Sequence, residues 1–142
     1  MITLTEEELD TLVSIAIRRA ELLDEIASPA ANVAWAEVMA YEERISAITP
    51  AEDIPGGVAR VGAVRAALAA GLRQDAARLA SVYLGSESLP SERRLAIERA
   101  FQEDHELIAR HFPILAKTGR LSELEAWRNK AAGTPRVFPW AA

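Results

Sequence analysis

Apolar positions recur at helical spacing along most of the chain, and polar caps and breakers divide them into segments. Thr5-Glu6-Glu7-Glu8 reads as a capping box, with Leu4 and Leu9 placed as a hydrophobic staple, so a helix is expected to start there. Leu9, Val13, Ala16, Ala20, Leu23 and Ala27 follow at alternating four- and three-residue steps, and Leu12 and Ile26 widen the stripe to one broad buried face. Ser28-Pro29 ends this helix and opens the next, because Ser suits the N-cap and Pro the first helical position. The second helix runs to about Ile48 and is expected to bury Val33, Val38, Tyr41, Ile45 and Ile48, forming an antiparallel hairpin with the first. Trp35 lies off that stripe beside Met39, which marks it as the floor of a groove or an interface anchor.

Ile54-Pro55-Gly56-Gly57 reads as a break. Beyond it Gly62, Ala66 and Ala70 repeat every four residues and Ala59, Ala63 and Ala67 form the adjacent row, the surface of a central helix approached closely by its neighbours. Val58, Val61, Val64 and Leu68 fill the remaining space. Gly71 to Gln74 is expected to turn, with Asp75 as N-cap of a short helix from Ala76 to Leu84. After the polar loop from Gly85 to Pro90, a long helix spans Ser91 to Phe112 and stops at Pro113. Its buried line is Ile97, Phe101, Ile108 and Phe112, and Asp104 falls in that line where an apolar residue is expected. Either this helix is rotated from that register or Asp104 is a buried acid paired with an arginine of another helix; the second is preferred, since a buried carboxylate is tolerated when paired. Ser122-x-x-Glu125 opens a last helix to Ala132, closed by Gly133. No stretch alternates with period two for long enough to make a strand. The expectation is an all-α, compact bundle of about six helices built from antiparallel hairpins over residues 1–133, followed by an extended aromatic tail over 134–142.

Composition narrows the chemistry. Half the 142 residues are hydrophobic and about a quarter are charged, as in an ordinary single globular domain. A net charge of −5, with arginines interleaved among carboxylates, argues against a nucleic-acid surface, including a helix-turn-helix reader. The absence of cysteine excludes disulfides and thiol chemistry. The N-terminus turns acidic before any apolar run, unlike a secretory signal, and no window resembles a membrane span, so the expected location is cytoplasmic.

The two histidines, His105 and His111, are six residues apart on one helix. At about 100° per residue they lie roughly 120° apart around the axis, which does not suit a two-histidine metal grip. Neither has a glutamate three positions before it, so the di-iron pattern fails, and no metal or other cofactor is expected. No phosphate loop and no nucleophile elbow is present.

Arg99 followed after five residues by His105 resembles the motif of HEPN-type ribonucleases, small all-helical proteins that usually dimerise to form the active cleft. The resemblance covers this helix alone, and it implies Arg99 polarising a phosphate while His105 acts as general acid or base. Ala100 departs from the family, where a polar residue commonly follows the arginine, and Glu98, Glu103, Asp104 and Glu106 surround the pair with negative charge. His111, in the last helical turn, is accounted for by the helix dipole. The segment from Gly71 through Ala76, Ala80 and Tyr83 is similar to the turn and second helix of a tetratricopeptide unit, without a second copy in the chain.

Val137, Phe138 and Trp140 form the strongest non-catalytic feature, large apolar groups on a short Pro-flanked segment that must dock in this chain or on a partner, or stay wet. The leading expectation is therefore a protein-binding module acting on a partner or on a second copy, with Trp35, Val137, Phe138 and Trp140 as contacts. The alternative is a HEPN-like ribonuclease using Arg99 and His105.

Overall fold

The computed structural model describes residues 3–111, with the side chain of His111 excepted; the expected last helix and the aromatic tail lie outside them. Five α-helices follow in chain order: α1 (Glu6–Glu25), α2 (Ala31–Ile48), α3 (Ile54–Ala69), α4 (Arg73–Leu84) and α5 (Ser91–His111). There is no strand among the described residues. The all-helical expectation holds over this range.

α1 begins as its capping box predicts. Thr5 Oγ1 accepts from the Glu8 amide at 3.2 Å and donates to the Glu8 carboxylate at 3.1 Å. The helix stops two residues earlier than the stripe suggests. Ser28 N–H donates to the Leu23 carbonyl and Ala27 N–H to that of Asp24, both at 2.9 Å, the paired bonds of a Schellman cap. Ala27 therefore sits at φ 51°, in the left-handed region, and Ile26 points into solvent instead of widening the buried face. The same cap ends α3, where the left-handed position is Gly71 at φ 77°. A Cβ in that region costs about 1–2 kcal/mol. Ala27→Gly is expected to raise stability by about 1 kcal/mol once the entropy of a more flexible unfolded chain is subtracted. Urea titration reads that gain as a higher midpoint at unchanged slope.

Several expected boundaries shift. Ile54-Pro55-Gly56-Gly57 is the first turn of α3 and not a break: Pro55 falls where a missing N–H costs nothing, and both glycines are buried. Asp75 lies inside the first turn of α4, whose N-cap is Leu72. On α2, Val33 and Ile48 are exposed, and the buried set is Ala31, Ala34, Ala36, Val38, Tyr41, Glu42, Ile45 and Ser46. That set spans two faces because α2 packs on both α1 and α3.

α3 is central, in contact with α2, α4 and α5. Ala59 and Ala66 join Leu9, Val13, Val38, Tyr41 and Ile45 in one core cluster. Ala63, Val64, Ala67 and Leu68 join Leu79, Tyr83, Leu89 and Ile97 in the other. Small side chains on both rows let three helices approach this axis, as the four-residue repeat predicts; Val58 alone of the expected fillers is exposed. α5 packs on α3.

Two arginines lock the helix ends. Arg60 donates to the carbonyls of Ser46 at 3.0 Å, Thr49 at 3.1 Å and Gly56 at 2.9 Å, and its guanidinium lies 5.7 Å from the centre of the Tyr83 ring. Arg94 donates to Leu84 at 2.7 Å, Leu89 at 3.1 Å and Ser86. Each joins a carbonyl in the last turn of the preceding helix, Ser46 of α2 or Leu84 of α4, to carbonyls of the connection that follows, and so fixes that connection.

Candidate functional site

α1 packs on α2. Leu9, Val13, Ala16 and Ala20 are buried in that contact. A second apolar row faces outward: Ile15 is 60% exposed, Leu22 44%, and Ile26 at the C-cap 73%. Seven- and four-residue steps place these three on one side of the helix. Ile15 and Leu22, with Ser14, Leu23 and the stems of Arg18 and Arg19, line an open groove of about 560 Å³. Arg19 is drawn toward α2 by an ion pair with Glu37, whereas Arg18 reaches Glu21 only at 3.8 Å, so its guanidinium stays beside the groove. The sequence carried this signal in the spacing of Ile15, Leu22 and Ile26, but Ile26 was absorbed into the inner stripe.

Trp35 stands behind this helix. It is half-buried, packs against both core clusters, and its Nε1 donates to Asp24 Oδ2 at 2.6 Å. The ring thus ties the C-terminal end of α1 to α2. Val137, Phe138 and Trp140 lie outside the described residues.

Arg99 and His105 are both exposed on α5, and neither has a hydrogen-bonding or ion-pairing partner among the described residues. A groove of about 450 Å³ runs between α3 and α5, bordered by Leu68, Leu107, Arg65 and Arg110, and neither Arg99 nor His105 lines it. Asp104 does line it, and there the preferred reading of the sequence holds. Its carboxylate pairs with Arg73 from the first turn of α4, with side chains 10% and 18% exposed respectively. Arg65 and Glu103 form a second, exposed pair across the same groove at 3.2 Å.

One group with perturbed chemistry was missed from the sequence. Glu42 on α2 is 7% exposed, and its carboxylate lies against Gly62 of α3, 2.9–3.2 Å from where a Cβ would stand. Its carboxylate has no hydrogen bond or ion pair among the described residues; its backbone carbonyl accepts from Ser46 Oγ at 2.9 Å. Burial, and then the charge of Asp10 on α1, raise its pKa from the usual 4.5 to about 7. The signal was present: residues 38, 41, 42, 45 and 46 follow the spacing of a broad buried face, so Glu42 occupied a core position just as Asp104 does. Among the described residues no three metal-ligating side chains cluster, and no helix is long and apolar enough to cross a membrane.

Among known proteins, the chain matches no family model, no curated protein and no solved structure.

Proposed function

We propose that the protein acts by binding a protein partner, or a second copy of itself, through the outer face of α1, with Val137, Phe138 and Trp140 of the tail as a further anchor. A surface of this kind suits an adaptor, an immunity or inhibitor protein, or a regulatory subunit of the cytoplasm. The supporting observation is the outward row of Ile15, Leu22 and Ile26 on a helix whose opposite face is already satisfied by α2. Isolated exposed apolar residues need no explanation, but three in register on one helix, two of them lining an apolar groove, form a face that gains free energy when covered. Arg18 at its edge supplies a charge that favours an acidic flank on the partner.

The test is a paired substitution, Ile15→Asp with Leu22→Asp. Both side chains are exposed, so helicity and melting temperature are expected to stay near wild type while self-association or partner capture is lost. Multi-angle light scattering reads the first, and quantitative pulldown of preys held by the wild-type chain reads the second. A wild-type chain that is monomeric and holds no prey, or a double variant with the same profile as wild type, would sink the proposal. Truncation after Gly133 gives the tail's share by the same two measurements.

A further inference from the structure

α3 and α5 run side by side in the same direction. Arg93 of α5 lies against Gly57 of α3, and further along both helices Arg65 pairs with Glu103. One strip of α3 stays open beside this contact. Ile54, Val58, Arg65 and Ala69 are exposed and fall within about 60° around the helix axis, between Gly57 on the α5 side and Gly62, which faces Glu42 of α2. At about 1.5 Å per residue the strip is about 22 Å long. On α5 the row facing it carries Ala100, Glu103 and Leu107, and the groove between the two helices ends at Arg110. Ile54, Val58 and Leu107 are large apolar side chains left in water along this one channel.

We propose that the channel between α3 and α5 is the docking site of the chain's own residues 121–132, seated antiparallel to both helices. The first reason is where the chain leaves. The described residues end at His111, one turn beyond Leu107, and Leu107 lines the groove with Ala69 at the end of α3, so residues 112–142 set out from the mouth of the channel. Pro113 disfavours continuing along α5, and a segment that turns back runs along the open strip. The second reason is fit. Leu121, Leu124, Trp127 and Ala131 are spaced by three or four residues, the pattern of one apolar helical face, and a helix of that length spans about 16 Å. The third is charge. Residues 112–142 hold five basic and two acidic side chains, whereas residues 1–111 hold eleven basic and nineteen acidic ones, and Glu103 and Glu106 border the groove. A tethered segment also competes at high effective concentration against any free partner. This site is separate from the outer face of α1, and it leaves Val137, Phe138 and Trp140 beyond the seated segment.

Lys117 and Lys130 are the only lysines of the chain, and both lie in the segment after α5. Carbodiimide coupling, which joins an amine directly to a carboxylate, therefore reports where that segment rests; apart from those of the N-terminal amine, every cross-link starts in it. In a mixture of isotope-labelled and unlabelled full-length chain, cross-links are expected within one chain and onto α5, with Lys117 reaching Glu106 and Lys130 reaching Glu98 or Glu103, the order of an antiparallel segment. Val58→Asp with Leu107→Asp sets two unpaired charges against the apolar face; both positions are exposed, so helicity is expected to persist while these cross-links fall at least about tenfold. Trp127→Asp is expected to give the same loss from the segment's own side, and it decides the matter should the first variant fail to fold. Cross-links chiefly between labelled and unlabelled chains would assign the channel to a second copy and overturn docking within the chain. Cross-links spread over Glu6, Glu7 and Glu8 of α1 or Asp75 of α4, a reversed order along α5, or an unchanged yield in Trp127→Asp would overturn it as well.

Discussion

Asp104→Ala is expected to lower the unfolding free energy by about 2 kcal/mol, between the values for an exposed ion pair and a fully buried one. The intermediate value applies because the pair is part-buried, the Arg73 and Asp104 side chains keeping 18% and 10% of their exposure, so water screens part of the loss. The cost comes from the lost tie: Arg73 starts α4, Asp104 lies on α5, and their contact joins two helices beside α3. Replacing both residues with apolar groups of similar size, Arg73→Met with Asp104→Leu, is expected to recover part of the loss, because apolar packing takes the place of the ion pair. Urea titrations of the four members of this cycle measure the coupling. A loss under about 0.5 kcal/mol in Asp104→Ala would place the pair with ordinary surface ion pairs and remove its part in holding α4 to α5.

Asp104 also shows what the sequence can and cannot reveal. A charged residue in the line of Ile97, Phe101 and Ile108 was visible from spacing alone, and so was the need for a cation on another helix. Its identity was not, since Arg73 lies 31 residues away and many arginines satisfy the same condition. Glu42 was equally visible by spacing, but its environment depends on Gly62 and Asp10, on two different helices, and no local pattern couples them. Periodicity found the small-residue surface of α3 and its central place because that pattern is local. It misjudged α2, where alanines rather than Val33 and Ile48 face inward, because a helix between two neighbours buries two faces and hydrophobicity alone cannot tell which residues close packing selects. The outer row of α1 was misread for the same reason. Ile26 belongs to either face until the Schellman cap at Ala27 fixes where the helix ends.

Gly56→Ala is the second large effect expected, and its sign runs against helix propensity. Alanine in place of glycine within a helix ordinarily stabilises by about 1 kcal/mol. At Gly56, however, a Cβ would stand 1.8 Å from the Pro50 carbonyl oxygen and 2.7 Å from its carbon, both backbone atoms, and 3.0 Å from Arg60 Nη1. No side-chain rotation relieves a clash with backbone. The turn entering α3 must shift, and with it the carbonyls of Thr49 and Gly56 that Arg60 holds. A loss of about 3 kcal/mol is expected, at the upper end of the overpacking range, with the bonds of the Arg60 clamp included. Gly62→Ala provides the contrast, because the atoms its Cβ meets belong to the Glu42 carboxylate, the mobile end of a side chain. Its cost is expected to be smaller, and by pushing the carboxyl toward water it is expected to bring the Glu42 pKa back toward its usual range. If Gly56→Ala matches or exceeds wild-type stability in denaturant titration, the close passage of Pro50 over the first turn of α3 is not part of the native packing. If Gly62→Ala costs as much as Gly56→Ala and leaves the pH dependence of stability unchanged, Glu42 does not occupy the space beside Gly62.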